Sequence, residues 1–157
     1  ALDLEWLDKH PFARYKLKFK PYRKAFLTEQ ELQLLEEGTI TNTGYRLARD
    51  IFVFACYTGL SYTDVRQLKE SNISRGIDGA YWIFTHREKN EQPVRIPLLQ
   101  KALQIVEKYK DHPKTVQGAL LPVYANQKIN QYLKGVITNF GSLNTELYRK
   151  RIFAQKF

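Results

Sequence analysis

Cysteine is nearly missing from this chain: Cys56 is the only one among 157 residues. A lone cysteine excludes an internal disulfide, and its place within the apolar run Ile51–Tyr57 predicts a small core residue. Histidine is also scarce. His10, His86 and His112 lie far apart in sequence and have no paired cysteines, which argues against a zinc site. There is no glycine-rich phosphate loop, no Gly-x-Ser-x-Gly elbow and no clustered set of carboxylates, so neither a metal nor a cofactor is expected. No apolar run approaches the roughly 20 residues that a membrane helix needs. The N-terminal residues show no signal-peptide pattern. A reducing cytoplasm with no membrane partner is the expected setting. No internal repeat and no low-complexity segment interrupts the chain.

What is present suits one folded domain. Hydrophobic residues make up 43% and aromatics 13%, enough for a core without disulfides or metal. The charge is unbalanced: 25 Lys and Arg face 16 Asp and Glu, a formal net charge of +9. A surplus of that sign favours a polyanionic partner, because phosphate contacts from Lys and Arg supply much of the affinity for DNA. A basic balance is also found in domains that bind ribosomal RNA or acidic proteins.

Taken in order, Leu2, Leu4, Trp6 and Leu7 form a short amphipathic piece that Pro11 stops. Tyr15 to Lys24 then alternates apolar and basic residues. Lys16, Lys18 and Lys20 therefore line either an extended linker that tracks a phosphate backbone or a solvated basic edge. Thr28 and Glu31 make a capping box that opens a helix through Leu32, Leu34 and Leu35, ending at Gly38. A second helix is expected from Thr41–Thr43 to Tyr57, with Arg46 and Arg49 on its more polar early half. After Leu68 the pattern turns to strands: Ala80–Thr85 and Pro93–Pro97, joined by a charged loop over 86–92 whose tip is expected to be mobile. Leu98–Lys110 returns to helical spacing, ended by Pro113. Asn126–Phe140 carries Ile129, Tyr132, Leu133, Val136 and Ile137 at helical spacing, with Gly141 as its terminator. Residues 143–157 suit one more basic helix.

The stretch Phe52 to Leu68 organises the rest. Its apolar helix stops at Gly59, where a left-handed backbone is tolerated, and Ser61 is placed to cap the next helix opposite Asp64. Thr58, Gly59, Leu60, Asp64, Val65 and Leu68 stand in register with the first catalytic motif of the tyrosine recombinases (the phage-integrase family). The wording of this corner resembles integrases of mobile elements from Bacteroidetes. Where the family carries its first catalytic arginine, this chain has Ser61. The resemblance implies a second element, a lysine on the loop of a small sheet that acts as general acid. Lys89, ahead of Ile96, Pro97 and Leu98, matches its spacing.

Further along, the family's His-x-x-Arg phrase has Leu147 and Lys150 at the corresponding positions, so neither is carried over. Tyr148 precedes the place of the nucleophilic tyrosine. The expectation is a mainly helical α+β domain with a small antiparallel sheet, similar to a tyrosine-recombinase catalytic domain truncated at both ends. Residues 1–24 are expected to be the end of a preceding region and a basic linker, and 25–157 a partial catalytic domain. The resemblance implies double-stranded DNA as partner, with copies of the intact parent assembling on it. Lys89 and the Ser61 position are the candidate catalytic sites, and Arg66, Arg87, Arg95, Lys16, Lys18 and Lys20 the candidate DNA contacts. The alternatives are a non-catalytic DNA-binding module, including a decayed integrase, and a basic protein-interaction domain.

Overall fold

The structure, a computed structural model, describes residues 27–89 and 91–139. About half of these residues are helical. Helices α1 (Glu29–Glu37), α2 (Thr43–Thr58) and α3 (Tyr62–Gln67) lead through a short 3-10 turn, Glu70–Asn72, into a small sheet. Strands β1 (Ile73–Arg75), β2 (Tyr81–His86) and β3 (Pro93–Pro97) pair antiparallel in the order β1-β2-β3. Helices α4 (Gln100–Lys108), α5 (Pro113–Val116) and α6 (Asn126–Asn139) follow. The described part is thus a mixed α+β fold with a three-stranded antiparallel sheet.

Helix α2 is the axis of the packing. Asn42 caps its start by accepting from the Gly44 and Tyr45 amides, and Gly59 ends it with a left-handed backbone at φ 63°. Leu47, Ala48 and the run Ile51–Ala55 are buried because α1, α4 and α6 all pack on this helix. Two glycines set how closely α6 approaches. A Cβ on Gly135 would stand 2.5 Å from the Tyr45 ring, and one on Gly44 would stand 2.7 Å from Tyr132. The apolar positions Ile129, Leu133, Val136 and Ile137 of α6 face this core, as their spacing predicts.

The sheet has two unlike faces. Ile83 is fully buried, and Ile73 and Ile96, its Cα partners on the flanking strands, pack against the core. Trp82, Phe84 and Arg95 share the opposite face, with Arg95 directly across from Phe84 and its guanidinium 6.0 Å from that ring.

Three expectations need correction. Cys56 is exposed, since its place in the last turn of α2 falls outside the faces covered by α1, α4 and α6. Pro113 opens a helix as well as following one. It sits at the first position of α5, where its missing N–H costs nothing, and His112 Nδ1 caps that helix by accepting from the Lys114 amide at 3.2 Å. Arg49, expected on a polar half, is buried with Asp50. Its guanidinium donates to the Gly38 carbonyl at 2.7 Å and to the Leu35 and Glu36 carbonyls at 3.4 Å, closing the end of α1. Lys16, Lys18 and Lys20, the basic linker, Phe140, Gly141 and the helix expected after residue 143 lie outside the described residues.

Candidate nucleic-acid interface

The corner between α2 and α3 is built by a capping box. The Asp64 amide donates to Ser61 Oγ at 3.3 Å, while the Ser61 amide and hydroxyl both donate to Asp64 Oδ2, at 3.1 and 2.8 Å. Ser61 is the N-cap that its sequence position predicts. The other carboxylate oxygen reaches a distant part of the chain: Asp64 Oδ1 accepts from the Glu88 amide at 3.0 Å. Arg87 donates from Nη2 to the Gly59 carbonyl at 3.4 Å. The loop between β2 and β3 is therefore fastened at two points to the corner.

The loop is closed at its base. Arg87 N–H donates to the Gln92 carbonyl at 2.9 Å and Glu91 N–H to the Arg87 carbonyl at 2.7 Å. Lys89 stands in this turn, exposed, next to the residue whose amide is held by Asp64. No ion pair engages Lys89 among the described residues.

Asp64 is 6% exposed. Burial pushes its carboxyl up, but the hydrogen bonds from the Glu88 amide and from Ser61, together with the Arg87 charge, outweigh this and hold it below its ordinary 3.8. The carboxylate is thus satisfied mainly by neutral donors. Beside it opens a cleft of about 390 Å³ lined by Gln67, Lys69, Asn72, His86, Arg87 and Glu88, among others. Arg87 and Lys69 bring two positive charges to that cleft, and Glu88 and Glu91 formally balance them.

The remaining candidates divide. Arg66 is exposed in the last turn of α3 and borders a neighbouring hollow with Lys69. Arg95 does not join this group, because it lies on the outer face of the sheet over Phe84. The corner's two tyrosines are spent as donors, Tyr57 to Glu36 Oε1 at 2.6 Å and Tyr62 to the Tyr124 carbonyl at 2.9 Å. The contact from Asp64 to the Glu88 amide went unread in the sequence. Asp64 was visible there only as a cap partner, and a backbone amide on a distant loop carries no residue-type signal. Lys69, which lines both hollows, is likewise not legible, since nothing in its local sequence separates it from a solvated surface lysine. No known protein-family model matches the chain, and no curated protein matches it.

Proposed function

We propose that this chain is a double-stranded DNA-binding domain of the tyrosine-recombinase catalytic type, with the Thr58–Leu68 corner and the Lys89 loop as one phosphate-facing site. The observation that carries this reading is the Asp64 bridge. The two segments bearing the family resemblance are distant in sequence, yet Asp64 and Arg87 hold them side by side. In such a site, Lys89 donates a proton to the 5′ oxygen leaving a scissile phosphate, and nearby cations stabilise the crowded negative charge. The attacking group of the family is a tyrosine that forms a 3′-phosphotyrosyl link, which splits one phosphoryl transfer into two steps. The activity proposed for the residues described is binding of duplex DNA. Cytoplasmic location and assembly of several copies on DNA belong to the same proposal.

Arginine would ordinarily grip the phosphate at position 61 through two parallel hydrogen bonds. Ser61 instead spends its hydroxyl on Asp64. Arg87, which reaches the Gly59 carbonyl, is the cation next to the corner and the better substitute; Arg66 lies on the far turn of α3. The same use of Ser61 favours the second reading, a non-catalytic DNA-binding module on this scaffold.

The test is a titration of a labelled DNA duplex by fluorescence anisotropy at several salt concentrations. Affinity is expected to fall steeply as salt rises, with a log–log slope of about −0.9 for each phosphate neutralised. Absence of binding at low salt, or affinity indifferent to salt, rejects the proposal.

A further inference from the structure

Five lysines among the described residues are held by carboxylates or by aromatic rings, Lys108 by both Asp50 and the Tyr109 ring. Lys101, Lys108 and Lys110 on and after α4 are each paired with a carboxylate, from Glu36, Asp50 and Glu107 respectively. Lys114 on α5 and Lys128 on α6 are held by aromatic rings. Lys114 Nζ lies 5.1 Å from the centre of the Tyr124 ring. Lys128 Nζ lies 4.9 Å from Tyr124 and 5.4 Å from Tyr132. Those rings meet edge to face at 5.8 Å, and Tyr45 supports Tyr132 in the same way at 5.4 Å. No ion pair to either lysine occurs among the described residues.

A carboxylate neutralises the lysine that it holds; a tyrosine face restrains the ammonium and leaves its charge intact. Two full positive charges are thereby fixed around one ring, with part of their side-chain ordering cost already met before any partner arrives. This cluster adjoins the candidate site. Tyr62, the residue after Ser61, spans to the Tyr124 carbonyl at 2.9 Å. On its other side, the segment 117–119 that follows α5 walls a hollow with Arg66 and Lys69, and Lys69 also borders the cleft that contains Arg87.

We infer that Lys114 and Lys128, seated on Tyr124, form a second phosphate-contact surface that continues the candidate site along Lys69 and Arg66, and that its occupant is the backbone of duplex DNA. The inference rests on the reading of the chain as a DNA-binding domain, and it adds contacts that neither motif predicts. Base edges are not involved, so these contacts contribute affinity and register without sequence preference.

The test compares the full chain with Lys114→Gln/Lys128→Gln in duplex titrations over a salt series. Loss of two contacts lowers the magnitude of the log–log slope by about 1.8 and weakens binding by about tenfold or more near 0.1 M salt. Lys114→Arg/Lys128→Arg keeps the slope, and so does Lys101→Gln/Lys110→Gln, which removes the same charge from carboxylate-paired positions. Melting curves of the variants are expected to overlay that of the wild type. A wild-type slope retained by Lys114→Gln/Lys128→Gln overturns this surface alone and leaves the Lys89 site standing. An equal loss in Lys101→Gln/Lys110→Gln overturns it as well, since net charge and not placement would then govern binding. A wild-type chain that binds no duplex overturns both.

Discussion

Two aspartates organise two regions of this molecule, and they are satisfied by opposite kinds of donor. Asp50 lies inside the helical layer and accepts from charged groups: Arg49 at 2.9 Å, Lys108 at 2.5 Å, and in addition the Tyr109 hydroxyl at 2.7 Å. Burial, the Asp50 charge and that hydrogen bond hold the Tyr109 hydroxyl far above its ordinary range, so it remains a neutral donor. Asp64 accepts from two backbone amides and a hydroxyl. The first arrangement consumes its cations to join α1, α2 and α4. The second joins a corner to a loop with uncharged donors, and leaves Lys89 and Arg66 without a carboxylate partner among the described residues. A cation becomes available to an anionic ligand where the neighbouring carboxylate is met by other means.

The sharpest way to break this comparison is to remove each carboxylate. Asp50→Ala strands the buried Arg49 and is expected to cost about 3–5 kcal/mol of stability, read from urea midpoints. Duplex affinity per folded molecule is expected to be unchanged. A loss of affinity in the folded fraction would erase the distinction between a structural and a functional region.

The next effect is one of pH. Asp64 is depressed in the folded state, so it binds a proton less readily there than in the unfolded chain. Its contribution is therefore fully present above the unfolded value near 3.8 and is lost as pH falls through its lower folded value. Wild type is expected to exceed Asp64→Asn in stability at pH 6, with the gap closing below pH 3.8. A gap that stays constant over that range would show that the carboxylate's charge has no part in fastening the loop.

Ser61→Ala is expected to be smaller again, at about 0.5–2 kcal/mol for loss of the cap, with duplex affinity per folded molecule retained. Thermal melts and anisotropy on the same samples separate the two. A hundredfold loss of affinity with an unshifted melt would mean that the hydroxyl contacts the phosphate, and the structural assignment of Ser61 would be wrong.

Local patterns were legible wherever chemistry is set by near neighbours. Thr28 with Glu31 and Ser61 with Asp64 form the capping boxes their spacing predicts; Ile51–Ala55 of the apolar run in α2 are buried, and so are Ile129, Leu133, Val136 and Ile137 of α6, where their periodicity places them. β2 and β3 follow from their aromatic and branched residues, while β1, only Ile73–Arg75, is too short to show alternation. What was not legible depends on contacts between distant segments. Arg49 looks like a surface arginine until the Gly38 carbonyl is brought to it, and Cys56 looks like core until the neighbouring helices are found to leave it uncovered. The fastening of the Lys89 loop is of the same kind. The resemblance at the Thr58–Leu60 corner, together with its spacing to Pro97, singles out Lys89, whereas the Asp64 to Glu88 bridge beside it is a tertiary contact to a backbone amide.

The central claim, that Asp64 makes the corner and the Lys89 loop one site, is tested most directly by a double-mutant cycle on duplex affinity with Lys89→Gln and Asp64→Ala. Lys89→Gln is expected to weaken binding of the wild type and to have little further effect once Asp64→Ala has released the loop, a coupling of about 0.5–3 kcal/mol. Asp64→Ala alone raises the net charge by one, so a purely electrostatic account predicts tighter binding for it, whereas a positioned site predicts weaker binding. Effects that add within about 0.5 kcal/mol, with Asp64→Ala binding more tightly than wild type, would contradict the account.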